Sequence, residues 1–453
     1  MVFFEYIRNI RFLKVVLVNI LICLFASCSD SDYLNAIPED SQLIMSINSA
    51  KVSGVGSPVI LKSLLHVSKV NDIGIDISSN IYFFEDAKGN FGICAKVSDD
   101  GKLADFLEKR KLVVQKRKDF KFALLPSNWI IGYSDKAALL MGPVMPARQT
   151  EFISQMVRYL SADEEDGIRN TPMFEKLDSI DAPMGLVCQT SALPQRFAAP
   201  FSIGAPKGAE PGDVMFAASL KVSDGKLLME GETFSFKKNI NNALQKARKV
   251  YRPIKGNYVK SMSSDDTFGV FLNVDGKQFH GLVTQNRGIS AMLAGVNSAI
   301  DMDNILRSID GDLSITSARM SSDGGKMRMA AQLGSASWLD DVDYWKRSVP
   351  EGGMIGNWGE NCFYYKSEGT SYYFGVTSDM QYMSGGSREE ALESVEACAD
   401  PIDVDLQEMI VGRKLVMIVN FKALEGTGTG AFMSMLKPVV GNLTSIVYTL
   451  NDK

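Results

Sequence analysis

Two histidines occur in the 453-residue chain, His66 in a helix-like run and His280 in a loop-like one. A zinc site or a Ser-His-Asp nucleophile would need imidazole beside further ligands or near a Gly-x-Ser-x-Gly elbow, and the sequence around them has neither. No metal, cofactor or catalytic residue is assigned. Gly426-Thr427-Gly428-Thr429-Gly430 has the glycine density of a phosphate loop. It lacks both the Lys-Ser/Thr of a Walker loop and the GxGxxG spacing, and reads as a connection. Acids come in neighbouring pairs, such as Asp265-Asp266 and Asp340-Asp341. Neighbours on a strand point to opposite faces, whereas a glycosidase holds two carboxylates across a cleft. A hydrolase working on envelope polymers or polysaccharides through carboxylates is thus the alternative reading. The leading one is a binding or interaction role without catalysis.

Two features suit binding. Phe363-Tyr364-Tyr365 faces Tyr372-Tyr373-Phe374 across a predicted hairpin, with Tyr382 beyond. Alternation sends these rings to both faces of a sheet. Rings left in solvent would stack well on a glycan or a protein. Tyr364, Tyr372 and Tyr382 are the candidate binding surface. The other feature is basic: Lys237, Lys238, Lys246, Arg248, Lys249, Arg252, Lys255 and Lys260 occur with no acid among them. In a chain of net charge −5, such a stretch suits anionic headgroups or an acidic envelope partner. The overall acidity gives no reason to expect nucleic acid.

The residues that must position this chemistry begin at the amino terminus. Arg8, Arg11 and Lys14 precede an apolar run from Val15 to Ala26, broken only by Asn19. That run is shorter than the roughly 20 residues of a spanning helix, and reads as a cleaved signal peptide over 1–27. It ends in Leu24-Phe25-Ala26-Ser27-Cys28, which resembles a lipobox: a thiol able to accept a diacylglycerol, with small side chains before the cut. Cys28 is the expected lipidation site and membrane anchor. Ser29, Asp30, Ser31 and Asp32 resemble an export signal for surface display, and 28–37 reads as an acidic tether. The expected location is the bacterial outer membrane, facing either the outside or the periplasm. Cys94, Cys188, Cys362 and Cys398 lack CxxC spacing and are expected as buried free thiols.

Behind the tether, a chain of this length predicts more than one core. The order of elements runs twice. Asp40 to Asn48 and Asp265 to Asn273 are each an acidic start, a strand and a closing Asn. Helix-like segments follow at 58–66 and 289–298. Hairpins come next, turning at Asp86-Ala87-Lys88-Gly89-Asn90 and at Ser322-Asp323-Gly324-Gly325, where glycine supplies a positive φ. Then come helices over 101–111 and 337–346, further hairpins, helices opened by Thr171-Pro172 and by the capping box Ser387 to Glu390, and two more strands each. Tight turns make antiparallel sheets. The expected fold is α+β: two tandem similar copies, each mostly antiparallel sheet with helices packed on one face. The copies span 38–236 and 263–453, joined by a basic linker helix at 237–262. The first ends in a returning strand after Ser223-Asp224-Gly225-Lys226, which the second should lack.

Cys28, the short acidic tether and Tyr33-Leu34-Asn35-Ala36-Ile37-Pro38-Glu39-Asp40, running into a strand that ends at Asn48, resemble a family of uncharacterised Bacteroidetes lipoproteins, the domain-of-unknown-function 4836 type. The resemblance covers most of the mature chain. It implies an envelope location and carries over no activity, substrate or catalytic residue.

Overall fold

The computed structural model describes residues 31–48, 73–193, 200–286, 289–290, 293, 300–318, 327–421 and 443–451. The signal segment, Cys28, Ser29, Asp30, the helix expected over 58–66 with His66, most of 289–298, the turn at 322–325 and the glycine-rich 426–430 run lie outside the described residues. The chain divides into two compact units, the first holding the described residues up to 175 and the second those from 176 onward. This boundary falls inside the segment that the sequence reads as the first copy.

The first unit holds β1 (Leu43–Ile47), β2 (Ile81–Glu85), β3 (Phe91–Lys96), β4 (Gln115–Arg117), β5 (Phe120–Leu125), β6 (Trp129–Tyr133) and β7 (Ala137–Met141). They pair antiparallel in the order β1-β2-β3-β7-β6-β5-β4. At the β2–β3 turn the buried Asp86 carboxylate accepts from the Lys88 and Asn90 backbone N–H groups and from Tyr159 Oη. That converts a local turn signal into a tertiary tie. Helix α1 (Asp100–Lys109) is capped by Asp99, which accepts from Lys102 N, and buries Leu103 and Leu107. Helix α2 (Gln149–Leu160) buries Phe152, Met156, Val157 and Tyr159.

These helices lie on opposite faces of the sheet. Lys121 and Tyr133 are cross-strand partners on one face, and Lys121 pairs with Asp100 of α1 at 2.8 Å. Phe122 and Gly132 are partners on the other face, where a Cβ on Gly132 would sit 3.1 Å from Met156 of α2. The expectation of helices on one face is therefore corrected. The reason is the connection: β3 pairs with β7, so the chain crosses the sheet to reach the far edge at β4 and crosses again after β7.

The expected tether is also corrected. Asp32–Ala36 forms a 3-10 helix, and Tyr33, Leu34, Ala36 and Ile37 are buried. Asp32 pairs with Lys136 at 2.8 Å. The apolar side chains of this segment belong to the core, so the ordered body already includes Asp32.

The second unit holds β8 (Met184–Gln189), β9 (Met215–Ser223), β10 (Lys226–Phe234), β11 (Phe268–Asp275), β12 (Ile309–Ser317), β13 (Met327–Leu333), β14 (Met354–Gly359), β15 (Cys362–Ser367), β16 (Thr370–Val376), β17 (Gln381–Gly385), β18 (Leu415–Asn420) and β19 (Ser445–Leu450). The order is β8-β9-β10-β19-β18-β11-β12-β13-β17-β16-β15-β14. Every pairing is antiparallel except β10 with β19, which is parallel. The strand that follows Ser223-Asp224-Gly225-Lys226 thus lies between β9 and β19 and hydrogen-bonds to both. Helix α3 (Lys238–Arg248) follows β10 and packs Ile240 and Leu244 on Ala205 and Val214. Helix α4 (Val342–Ser348) precedes β14, and helix α5 (Arg388–Glu393) follows β17. Asp312 on β12 is 2% exposed and accepts from Asn273 Nδ2 and from the backbone N–H groups of Lys255, Gly256 and Asn257. One buried carboxylate therefore fixes the segment that leads from α3 into β11.

Candidate binding face

In the second unit, β15 and β16 pair with Phe363 opposite Phe374, Tyr364 opposite Tyr373 and Tyr365 opposite Tyr372. The pleat sends alternate pairs to opposite faces. On the inner face Phe374 meets Trp338, Trp345, Phe363 and Tyr372, and Trp338 stacks on Trp345 with ring centroids 5.8 Å apart. Tyr382 is 0% exposed, against Trp338, and its hydroxyl is 2.7 Å from that of Tyr372. Burial pushes both phenols above their ordinary range, most of all Tyr382, where the Tyr372 hydroxyl adds to the effect. Tyr382 is thus a core residue and cannot offer a surface, while Tyr372 is half-buried, its ring on Phe374 and its hydroxyl bonded to that of Tyr382. The physical reason is Trp338, which packs on Tyr382 and stacks on Trp345 of α4.

Tyr364 points the other way. Its ring lies 5.8 Å from Tyr373, and Tyr373 lies 6.3 Å from Trp358 of β14, giving a ladder of three half-buried rings. Trp358 is held by its indole N–H, which donates to the Phe363 carbonyl at 2.7 Å. Gly356 opposes Tyr364, and a Cβ there would fall 2.5 Å from the phenol ring, so only glycine lets this ring lie flat on β14. Lys366 places its ammonium 5.1 Å from the Tyr364 centroid and 5.6 Å from that of Tyr373, while the Arg388 guanidinium sits 5.4 Å from Trp358. Among the described residues, neither the Tyr364 nor the Tyr373 hydroxyl bonds to the protein. The face therefore presents flat apolar area, free phenol donors and two cations.

The length of the flanking helix explains why these rings stay open. In the first unit the helix after the last meander strand, α2, runs 12 residues and leaves Ile130 2% exposed. In the second unit the corresponding position in chain order is held by α5, of only six residues. It seats on Gly385, where a Cβ would meet Glu390 backbone at 2.7 Å, and goes no further across the sheet. Sequence reasoning missed Trp358, Lys366 and Arg388. Alternation along Met354-Gly356-Trp358 was the available signal for the first; nothing local marked Arg388.

The other candidates separate. Asp265 is exposed, whereas Asp266 is 1% exposed, ion-paired with Arg328, and accepts from Ser263 N at 2.8 Å. Burial raises the Asp266 carboxyl in spite of the Arg328 charge. Asp340 and Asp341 are both exposed. His280, expected in a loop, lies in the helix Gly276–Val283 with Nε2 3.1 Å from Asp303 Oδ1. Of the basic stretch, Lys237 pairs with Asp213, Arg248 with Glu232, and Arg252 with Asp310; Lys238, Lys246, Lys249, Lys255 and Lys260 are exposed. Burial would raise the Glu232 carboxyl, but hydrogen bonds from Lys176 and Arg248 prevail and lower it. A cavity of about 30 Å³ beside Arg248, Tyr251, Met417 and Tyr448 has room for little more than a water. Cys94, Cys188, Cys362 and Cys398 are free, the first three buried. Among the described residues no helix is long and apolar enough to cross a membrane, and no group of ligands could hold a metal. Ser31 is the first described residue and Asp32 is held by Lys136; Cys28, Ser29 and Asp30 lie outside the described residues.

A family model described as "Domain of unknown function (DUF4836)" matches residues 61–395. No curated protein matches the chain. Among solved structures, crystal form I of TP0453 is similar at 12% identity, over 47% of this chain and 82% of the other, with a TM-score of 0.29. A similarity that slight carries no fold assignment.

Proposed function

Because the chain belongs to the DUF4836 family, whose description assigns no activity, we propose on chemical grounds that it is a lipid-anchored envelope protein with a non-catalytic binding role. The ligand or partner docks on the Trp358-Tyr373-Tyr364 face. The observation that carries this reading is a three-ring ladder left half-exposed beside two cations. Solvent-facing aromatic rungs contribute little to the core, and they supply large contact area at low entropic cost. The anchor is Cys28, at the outer membrane. Its support is the lipobox-like run before it and the Ser/Asp stretch after it. Asp32, held by Lys136, lies four residues after Cys28, a distance along the chain of at most about 14 Å, so the body stays near the bilayer.

The two sheets are read as copies of one ancestral unit. In support, β1-β2-β3-β7-β6-β5-β4 and β11-β12-β13-β17-β16-β15-β14 follow the same order of pairing. In this reading the second copy kept the sheet and gave up the long covering helix, which freed a face for binding.

The test is cross-linking of envelope neighbours, glycans included, to the wild-type protein and to a Trp358→Ala/Tyr364→Ala/Tyr373→Ala variant of unchanged thermal stability. Loss of one reproducible neighbour is expected. An identical set of neighbours would remove the face from the proposal. Cys28→Ala should release the protein from membranes, and a variant that still sediments with them refutes the anchor.

A further inference from the structure

The most basic part of the first unit has no role in the face described above. Residues 109–118 read Lys-Arg-Lys-Leu-Val-Val-Gln-Lys-Arg-Lys, two cationic triplets around an apolar centre. Lys109, Arg110, Lys111, Lys116, Arg117 and Lys118 are all exposed, and Val113 between them is 73% exposed. All three residues of β4 are exposed, so the β4–β5 hairpin projects from the sheet edge. Among the described residues Lys116 and Lys118 have no ion pair, while the Arg117 guanidinium reaches only the Thr150 carbonyl, at 3.3 Å.

We infer that this basic edge rests on the anionic headgroups of the leaflet that holds the Cys28 anchor, an inference that depends on the anchor reading above. Register supplies the geometry. Lys121, just after the Lys118-Asp119 turn, pairs with Tyr133, just before the turn that carries Lys136. Both turns therefore lie at the same end of the sheet, two strand spacings or about 10 Å apart. Lys136 holds Asp32, four residues from the anchor. A distance along the chain of at most about 14 Å thus brings this corner of the sheet within reach of the headgroups. Of the acids facing the corner, Asp100 pairs with Lys121 and Asp32 with Lys136, while Glu108, Asp119 and Asp135 are exposed and are outnumbered by the six cations of 109–118. A soluble polyanion would account for the cations but not for Val113. An exposed valine between two cationic triplets suits an interface where charge meets phosphate and the side chain enters the acyl boundary.

The assay is co-sedimentation of the mature chain, residues 28–453, carrying Cys28→Ser with vesicles of phosphatidylglycerol and phosphatidylethanolamine, against vesicles of phosphatidylcholine. Binding to the anionic vesicles alone is expected, weakening as salt rises. Lys116→Gln/Arg117→Gln/Lys118→Gln should reduce it at least about 10-fold, and Val113→Ser several-fold. Equal binding to both vesicles, salt-independent binding by the wild type, or unchanged binding by the triple variant would overturn the inference. Because the chain tested carries no lipid, these outcomes are separate from the membrane release that tests the anchor.

Discussion

Replacing Asp312 tests how much of the second unit hangs on a single buried carboxylate. It accepts from Lys255 N at 2.9 Å, Gly256 N at 2.8 Å, Asn257 N at 3.0 Å and Asn273 Nδ2 at 2.8 Å. Asp312→Ala leaves four donors without their acceptor in a site that is 2% exposed. An orphaned buried donor costs about 1–3 kcal/mol. The sum is not additive, because water can enter the space left by the carboxylate and rebond some donors. The expected loss is about 3–5 kcal/mol, a large share of the roughly 5–15 kcal/mol that holds a typical native state. Asp312→Asn keeps the volume and one acceptor oxygen but turns an amide N–H₂ toward donors, for about 2–3 kcal/mol. Urea unfolding followed by tryptophan fluorescence reads both, since Trp338, Trp345 and Trp358 all lie in the second unit. A loss under about 1 kcal/mol for the alanine variant would show that the clasp adds little and that the apolar core fixes the 255–257 segment by itself.

Arg328→Met strands the Asp266 carboxylate in the core and should cost about 3–5 kcal/mol at neutral pH. The deficit should shrink as acid protonates Asp266, whose carboxyl burial already raises; a deficit that does not change with pH contradicts this account. For Asp76, burial alone would raise the carboxyl, yet hydrogen bonds from Ser78 and Ser79 and the Lys96 charge bring it from 3.8 down to about 2. Its stabilisation, about 2 kcal/mol, is therefore full above pH 3.8 and lost as pH falls through about 2. Asp76→Ala should flatten the acid limb of the unfolding curve over that window. Gly356→Ala drives a methyl into the Tyr364 ring and should weaken ligand capture by the aromatic face while leaving the Trp338 core emission unchanged. Retained capture would mean Tyr364 is dispensable.

Local chemistry wrote much of this fold into the chain. The Asp86 to Asn90 turn, the Asp99 cap and the Ser387 to Glu390 box all act within a few residues, and all form: Ser387 Oγ accepts from Glu390 N, and Glu390 accepts from Gly386 N. Of the linker helix expected at 237–262, Lys238–Arg248 forms, because Ile240 and Leu244 recur at helical spacing, and Pro253 follows its end. Alternation also determined that Tyr364 and Tyr365 face opposite ways. It could not determine which face would be covered, burying Phe363 and Phe374 there. That was decided by α4, which seals one face with Trp345, and by the brevity of α5, which leaves the other open. Distance along the chain hid the rest. Asp312 finds its backbone donors 55 to 57 residues away, and β10 joins β19 in parallel across more than two hundred residues. The buried Tyr33 and Ile37 carry an apolar signal too short to be read as core. Turn and cap signals are energies between near neighbours, whereas burial and strand partnership are settled only when the whole surface competes for cover.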